Sequence, residues 1–189
     1  QSRSSAASDV YKRQVIMPIV PKGLILHSMS EYLVYEGKTL YAKDFIKKIG
    51  LSVHGYIKPD GTYDKHVVSP SKAFHAGKSE WNGLKNLNSH YLGVELLVAG
   101  VNDWTSFSRK IKKKGTYTQP QFDSAVNVFS FWMNKFNIPI ENIVRHSDCS
   151  GDHVRGKGKG KTDPGNAFDW EAFKTCLLYT SDAADDLLC

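Results

Sequence analysis

Two short apolar runs in this chain each deliver a histidine, and that restricts how the chain can fold. Gly23-Leu24-Ile25-Leu26 ends on His27, and the run across residues 138–144 leads through Arg145 to His146. Short apolar runs of this kind read as buried strands, and side chains emerge at a sheet edge where strands end. Two such ends on neighbouring strands would bring both imidazoles together. Behind the second histidine lies a polar segment, Arg145-His146-Ser147-Asp148, and past a loop comes Lys161-Thr162-Asp163-Pro164-Gly165. Imidazole and carboxylate suit zinc, and a catalytic zinc keeps three protein ligands with a fourth position open for water. His146 and Asp163 are two candidates and His27 is the third, so the chain reads as a zinc hydrolase.

The remaining pattern alternates between strand and helix. Residues 22–27 read as a buried strand. Tyr41, Phe45, Ile46 and Ile49 recur at helical spacing and stop at Gly50. Residues 51–58 and 62–68 flank Pro59-Asp60-Gly61, turn chemistry that predicts a hairpin. Residues 91–99 form a strongly apolar strand interrupted by one acid, Glu95, while the basic stretch 104–115 predicts a surface loop or short helix. Thr118 is placed as an N-cap, with Pro120 in the first turn and Gln121 completing a capping box. Phe122, Val126, Phe129, Met133 and Phe136 then give a core-facing aromatic stripe, ended by Asn137 and Pro139. Residues 156–161 alternate glycine and lysine and read as a flexible basic loop; residues 169–173 read as a short closing helix. The class is therefore α/β, a single domain with a central mixed β-sheet flanked by helices.

Of the 189 residues, 41% are hydrophobic, enough for one core. No apolar run approaches the roughly 20 residues that span a membrane, and no membrane partner is expected. A net charge of +6 favours anionic partners. Nucleic acid is set aside because the chain lacks the motifs of such binders. Residues 1–16 read as a disordered or artefactual tail without the apolar core of a secretory signal, 17–175 as the catalytic domain, and 176–189 as an artefactual tail beyond a stop near Lys174. Segments 5–14 and 178–185 resemble translated adapter sequence, with Met17 the expected start. Of three cysteines, two fall in that second tail, and Cys149 is expected to be a loop thiol outside any disulfide framework.

The residues also carry a family resemblance. The motifs are Leu24-Ile25-Leu26-His27, His54 with Pro59-Asp60-Gly61, Ala73-Phe74-His75-Ala76-Gly77, Leu92-Gly93-Val94-Glu95-Leu96, Val144-Arg145-His146-Ser147-Asp148, and Lys161-Thr162-Asp163-Pro164-Gly165 running on to Trp170. In order and spacing, from about residue 23 to 173, the chain resembles the zinc-dependent N-acetylmuramoyl-L-alanine amidases, which include phage lysozyme-type amidases, wall-recycling amidases and peptidoglycan recognition proteins. The resemblance implies that His27, His146 and Asp163 ligate Zn2+, that Glu95 is the acid/base carboxylate, that Lys161 steadies the tetrahedral intermediate, and that His75 lines the substrate groove. His54 is a candidate for the groove or, equally, for the core. Each assignment has a plain alternative: Glu95 as a structural partner of a lysine or histidine, and Lys161 as one more loop cation like Lys157 and Lys159. Two departures stand out. The loop from His146 to Asp163 is longer than the family's usual connection, and Val53 stands where some phage members carry a tyrosine.

The implied activity is hydrolysis of the amide between N-acetylmuramic acid and L-alanine in peptidoglycan, by a monomer acting on peptidoglycan or muropeptides. An endolysin-like lytic enzyme, made in the cytoplasm and acting on the cell wall, is favoured over a cytosolic muropeptide-recycling amidase. The competing class is a recognition module that binds peptidoglycan without cleaving it. Such modules typically lack one zinc ligand, whereas this chain keeps a full candidate set.

Overall fold

The longest strand organises the molecule. Strand β1 (Gly23–Tyr35) is buried throughout its first eight residues, the signature of a strand covered on both faces. Strand β7 (Tyr91–Asn102) lies parallel to it over most of its length, in a register that sets His27 against Glu95. Along its other edge β1 has two neighbours in succession. Its beginning pairs in parallel with the short β8 (Ile143–Arg145), and its end pairs antiparallel with β2 (Lys38–Tyr41). Beyond β7 come β3 (Gly55–Ile57) and β4 (Tyr63–Lys65), the predicted hairpin, so the sheet order is β2-β1-β7-β3-β4. Strands β5 (Glu80–Trp81) and β6 (Leu84–Lys85) form a separate small hairpin. The computed structural model describes residues 17–182; the tail expected at 1–16 and the end of the second tail, 183–189, lie outside the described residues.

Period-two alternation decides which face each side chain serves. Leu24 and Leu26 of β1, with Leu92, Val94 and Leu96 of β7, pack under α3 (Gln119–Phe136) and α5 (Trp170–Asp182). The intervening positions, among them His27, Gly93 and Glu95, therefore face the other side. There, α1 (Ala42–Lys48) covers Met29, Leu33 and Leu97, and α2 (Trp104–Lys110) begins at an Asp103–Ser106 capping box. The Thr118–Gln121 box forms as predicted, with Asn137 left-handed at the C-terminal end of α3. Gln121 is buried and also donates to the carbonyls of Ile57 (3.2 Å) and Leu97 (2.9 Å), tying helix to sheet.

Four expectations change. The strand read as residues 22–27 continues to Tyr35. The run 138–144 is mostly not strand: a 3-10 turn (Ile140–Asn142) follows Pro139 and only Ile143–Arg145 pairs. The closing helix does not stop near Lys174; Cys176 and Leu177 follow Phe173 at i+3 and i+4 and are buried with it in the core, and Thr180 Oγ1 lies 2.7 Å from Ser130 Oγ. Finally, Cys149 sits inside α4 (His146–Ser150), fully buried, and burial pushes its thiol up to about 12.

Candidate metal and catalytic site

The site opens where β8 stops. Leu26 pairs with Arg145, so His27 and His146 occupy the next step of two parallel neighbours. There β8 turns into α4 while β1 continues, and the two imidazoles lie with ring centroids 4.3 Å apart. Asp163 reaches the same spot from the far end of the loop. Its backbone carbonyl accepts from Ser147 N (3.1 Å), and its Oδ2 accepts from Ser28 N (3.2 Å). Oδ2 lies 3.0 Å from His146 Nδ1 and 3.8 Å from His27 Nδ1.

Donors with arms of about 2.0–2.2 Å to one ion sit about 3–4 Å apart, and ligand atoms of these three residues all lie within 4.8 Å of one another. All three side chains are buried. His27 Nδ1 has no hydrogen-bond partner although it is shielded from water, an arrangement that is costly unless a cation completes it. Burial, with the neighbouring imidazoles His146 and His75 adding to it, holds His27 well below its ordinary range and so neutral. Burial alone would raise the Asp163 carboxyl, but His146, Lys161 and the Ser28 N–H together hold it low and so ionised. Two imidazoles and a carboxylate converging at these distances form a donor set suited to a divalent metal.

Glu95 stands beside His27 in the sheet register and is 7% exposed, with Oε2 unpartnered. Burial first, and then the Asp163 carboxylate, push its carboxyl well above the usual range, against the pull of Lys161. It shares with Ser28, His75, His146, Lys161 and Asp163 the polar end of a cavity of about 320 Å³. The same cavity is also lined by the apolar side chains of Phe45, Ile46, Phe74, Trp104 and Phe107, with Trp104 half-exposed.

Lys161 is exposed at the cavity rim. The glycine- and lysine-rich loop that carries it is tied down. Asp152 accepts from Gly158 N (2.9 Å) and Gly160 N (2.7 Å), and Lys161 N donates to Ser150 O (2.9 Å). A Cβ at Gly160 would fall 2.2 Å from Asp152 N, so only glycine permits this wrap. The loop is thus a built turn that delivers Lys161.

The two remaining candidates separate. His75 lies at the cavity and contacts His27 directly, its Nδ1 2.8 Å from His27 Nε2. His54 does not reach the cavity: its Nε2 donates to Ser71 O (2.8 Å) and its Nδ1 accepts from Gly93 N (3.0 Å), which occupies both nitrogens with backbone. Burial depresses it to about 4, so it stays neutral, and it is a core residue locking β7 to the segment before β3. The Tyr117 hydroxyl, 2.7 Å from Pro164 O and 2.8 Å from Ser28 Oγ, anchors the aspartate loop and was not singled out by the sequence.

The chain is 30% identical over 141 residues to the 1,6-anhydro-N-acetylmuramyl-L-alanine amidase AmpD of Enterobacter cloacae, a match covering 72% of this chain and 63% of that protein. It is 28% identical over 136 residues to the AmpD of Escherichia coli, covering 70% and 61%. The chain thus spans less than two thirds of the length of these curated relatives. Among solved structures, AmpDH3 from Pseudomonas aeruginosa superposes with a TM-score of 0.60 at 19% identity, covering 86% of this chain and 61% of that one. The N-acetylmuramoyl-L-alanine amidase LysC from Clostridium intestinale gives 0.56 at 21%, covering 85% and 87%. These likenesses establish the α/β fold. The family model described as N-acetylmuramoyl-L-alanine amidase matches residues 17–166, which takes in every strand of the sheet and the whole His27–His146–Asp163 cluster, and the chain belongs to that family.

Proposed function

We propose that this protein is a zinc-dependent hydrolase of the amide joining the lactyl group of N-acetylmuramic acid to L-alanine of the stem peptide. The observation that carries the reading is the convergence of His27, His146 and Asp163, the last two lining one cavity together with Glu95, a buried carboxyl of raised proton affinity. Zinc held by those three side chains would supply Lewis acidity toward the carbonyl and a water of lowered pKa. Glu95 takes a proton from the attacking water and returns it to the leaving amine, a task that suits a carboxyl whose proton affinity burial has raised. Lys161, fixed at the rim by the Asp152 turn, places a cation where negative charge develops on the scissile carbonyl oxygen. The apolar residues lining the cavity offer Trp104 and Phe74 as exposed faces for a sugar or side chain.

The net charge of +6 supports an extended anionic wall as substrate, the endolysin-like reading. The names of the AmpD relatives support a soluble anhydro-muropeptide. Release of L-alanine amino termini is measured from purified sacculi and from an anhydro-muropeptide, with chelator and with zinc restored. Chelator-sensitive release that zinc restores is the expected result, and the faster substrate identifies the physiological class. Binding to sacculi without release, with zinc present, would mean a recognition module instead.

A further inference from the structure

We propose that His75 is a positioning residue for the metal, holding His27 in the tautomer and ring direction that turn its Nδ1 lone pair into the cluster. The inference rests on the reading that His27, His146 and Asp163 hold a metal. It starts from a main-chain carbonyl. Tyr91 O lies 3.2 Å from His75 Nε2 and can only accept, so His75 carries its proton on Nε2. The His75 ring is buried with no carboxylate on either nitrogen, so it carries that one proton and Nδ1 is left as an acceptor. That acceptor faces His27 Nε2 at 2.8 Å, and His27 must therefore donate from Nε2. A neutral imidazole has one N–H. The His27 Nδ1 lone pair is then free, and this is the buried atom with no hydrogen-bond partner that points at Asp163.

The relay has something to oppose. The Asp163 carboxylate, 3.8 Å from His27 Nδ1, attracts a proton onto that nitrogen, and an Nδ1–H would block ligation. Accepting from Nε2 makes His75 the counterweight. The chain is shaped around the contact on three sides. Asn88 Oδ1 accepts from the backbone N–H groups of His75 (2.9 Å) and Ala76 (2.8 Å) and so places the ring. Tyr91 O fixes its far nitrogen. Gly93 leaves room beneath it: a Cβ there would lie 2.5 Å from His75 Nδ1 and 3.0 Å from His27 Nε2. The rings meet edge to face, at 88°. His75 thereby acts through His27 rather than on substrate, which moves it from the groove role that the family resemblance implies.

The test reads metal and proton rather than turnover. In ¹⁵N-labelled, metal-free protein, long-range ¹H–¹⁵N correlation should show His27 protonated at Nε2. His75→Leu should weaken zinc affinity, measured by competition with a chromophoric chelator, by about 10–100-fold, the usual effect of losing an outer-shell partner. His75→Asn, whose side-chain oxygen can take the place of Nδ1, should recover most of it. A wild-type His27 protonated at Nδ1, or a His75→Leu loss below tenfold, overturns the proposal. Should the leucine variant not fold, the wild-type spectrum and the asparagine variant decide. Failure of the amidase reading shows differently, as zinc-loaded wild type that releases no amino termini, and leaves these measurements intact.

Discussion

Gly93→Ala asks the most of the structural argument, because one methyl group would collide with the contact that aims a metal ligand. The backbone at Gly93 cannot retreat. It pairs with Ile25 of β1, its carbonyl accepts from His54 N (3.1 Å), and its N–H donates to His54 Nδ1 (3.0 Å). The new Cβ would lie 2.5 Å from His75 Nδ1 and 2.7 Å from Cε1, well inside contact distance, so the His75 ring must swing away. Overpacking of this kind costs about 1–3 kcal/mol. Leaving the His27 N–H buried and unpaired costs about 1–3 kcal/mol more. Replacing a strand glycine returns about 0.5–1 kcal/mol. The net loss is about 1–5.5 kcal/mol, which for a chain of this size lowers Tm by about 2–22 °C. Thermal unfolding of metal-free protein by circular dichroism measures it. A variant within about 1 °C of wild type, with zinc affinity unchanged, would refute the claim that the ring lies over Gly93 because its contact with His27 needs that space.

Other expectations can be checked in parallel. Glu95→Gln should reduce kcat by about 10²–10⁴-fold, the usual contribution of a general acid–base. The same carboxyl has a folded pKa above its ordinary value, so its contribution to stability is complete below the unfolded range near 4.5 and is lost as pH rises through the raised value. Metal-free Glu95→Gln should therefore melt above wild type at pH 8, with the gap closing toward pH 4. Lys161→Met should lower kcat/KM by about 10²–10³-fold without shifting Tm, since Lys161 is exposed. Thr118→Ala removes the cap on Gln121 N and the bond to Pro59 O (2.6 Å), and should cost about 1–2 kcal/mol, seen as a lower midpoint in urea. Zinc at 100 times its Kd should stabilise the protein by about 2.7 kcal/mol, an effect that His146→Ala abolishes.

What the sequence reveals follows from how local each signal is. The α3 boundaries are readable because capping-box chemistry acts within four residues, and the Thr118–Gln121 contacts form as spacing predicts. The β3–β4 hairpin is readable for the same reason, from Pro59-Asp60-Gly61. Strand lengths are not. Whether β1 ends at His27 or runs to Tyr35 depends on β7 pairing on through Leu33 and β2 pairing with Tyr32–Tyr35, tertiary events that no local pattern around His27 records. Likewise β8 is short because Pro139 and the turn after it use up the apolar run, leaving three residues in parallel pairing. The histidines and Asp163 were visible as motifs, whereas the assignment of His54 needed its two hydrogen bonds, both to backbone distant in sequence. Gly93 did leave a signal. A glycine inside an otherwise apolar strand marks a close approach, here by His75.

The mid-sheet position of His27 explains why the cluster can be both buried and open. A ligand at the true end of a strand would sit on a loop, held by fewer neighbours. His27 instead keeps β7 on one side, while the edge on its other side is vacated where β8 becomes α4. The vacancy admits His146 and, through the Ser28 and Ser147 amides, Asp163. Rigid strand backbone thus fixes one ligand, a helix start fixes the second, and two amide hydrogen bonds fix the third. This division of labour also places the burden of adaptation on the loop from Ser150 to Asp163. Its turn is closed by Asp152 and ends on Lys161, so a change of length there changes where the rim cation sits without moving either histidine. Chains sharing this sheet could therefore differ in substrate at the rim while the metal donors stay in register.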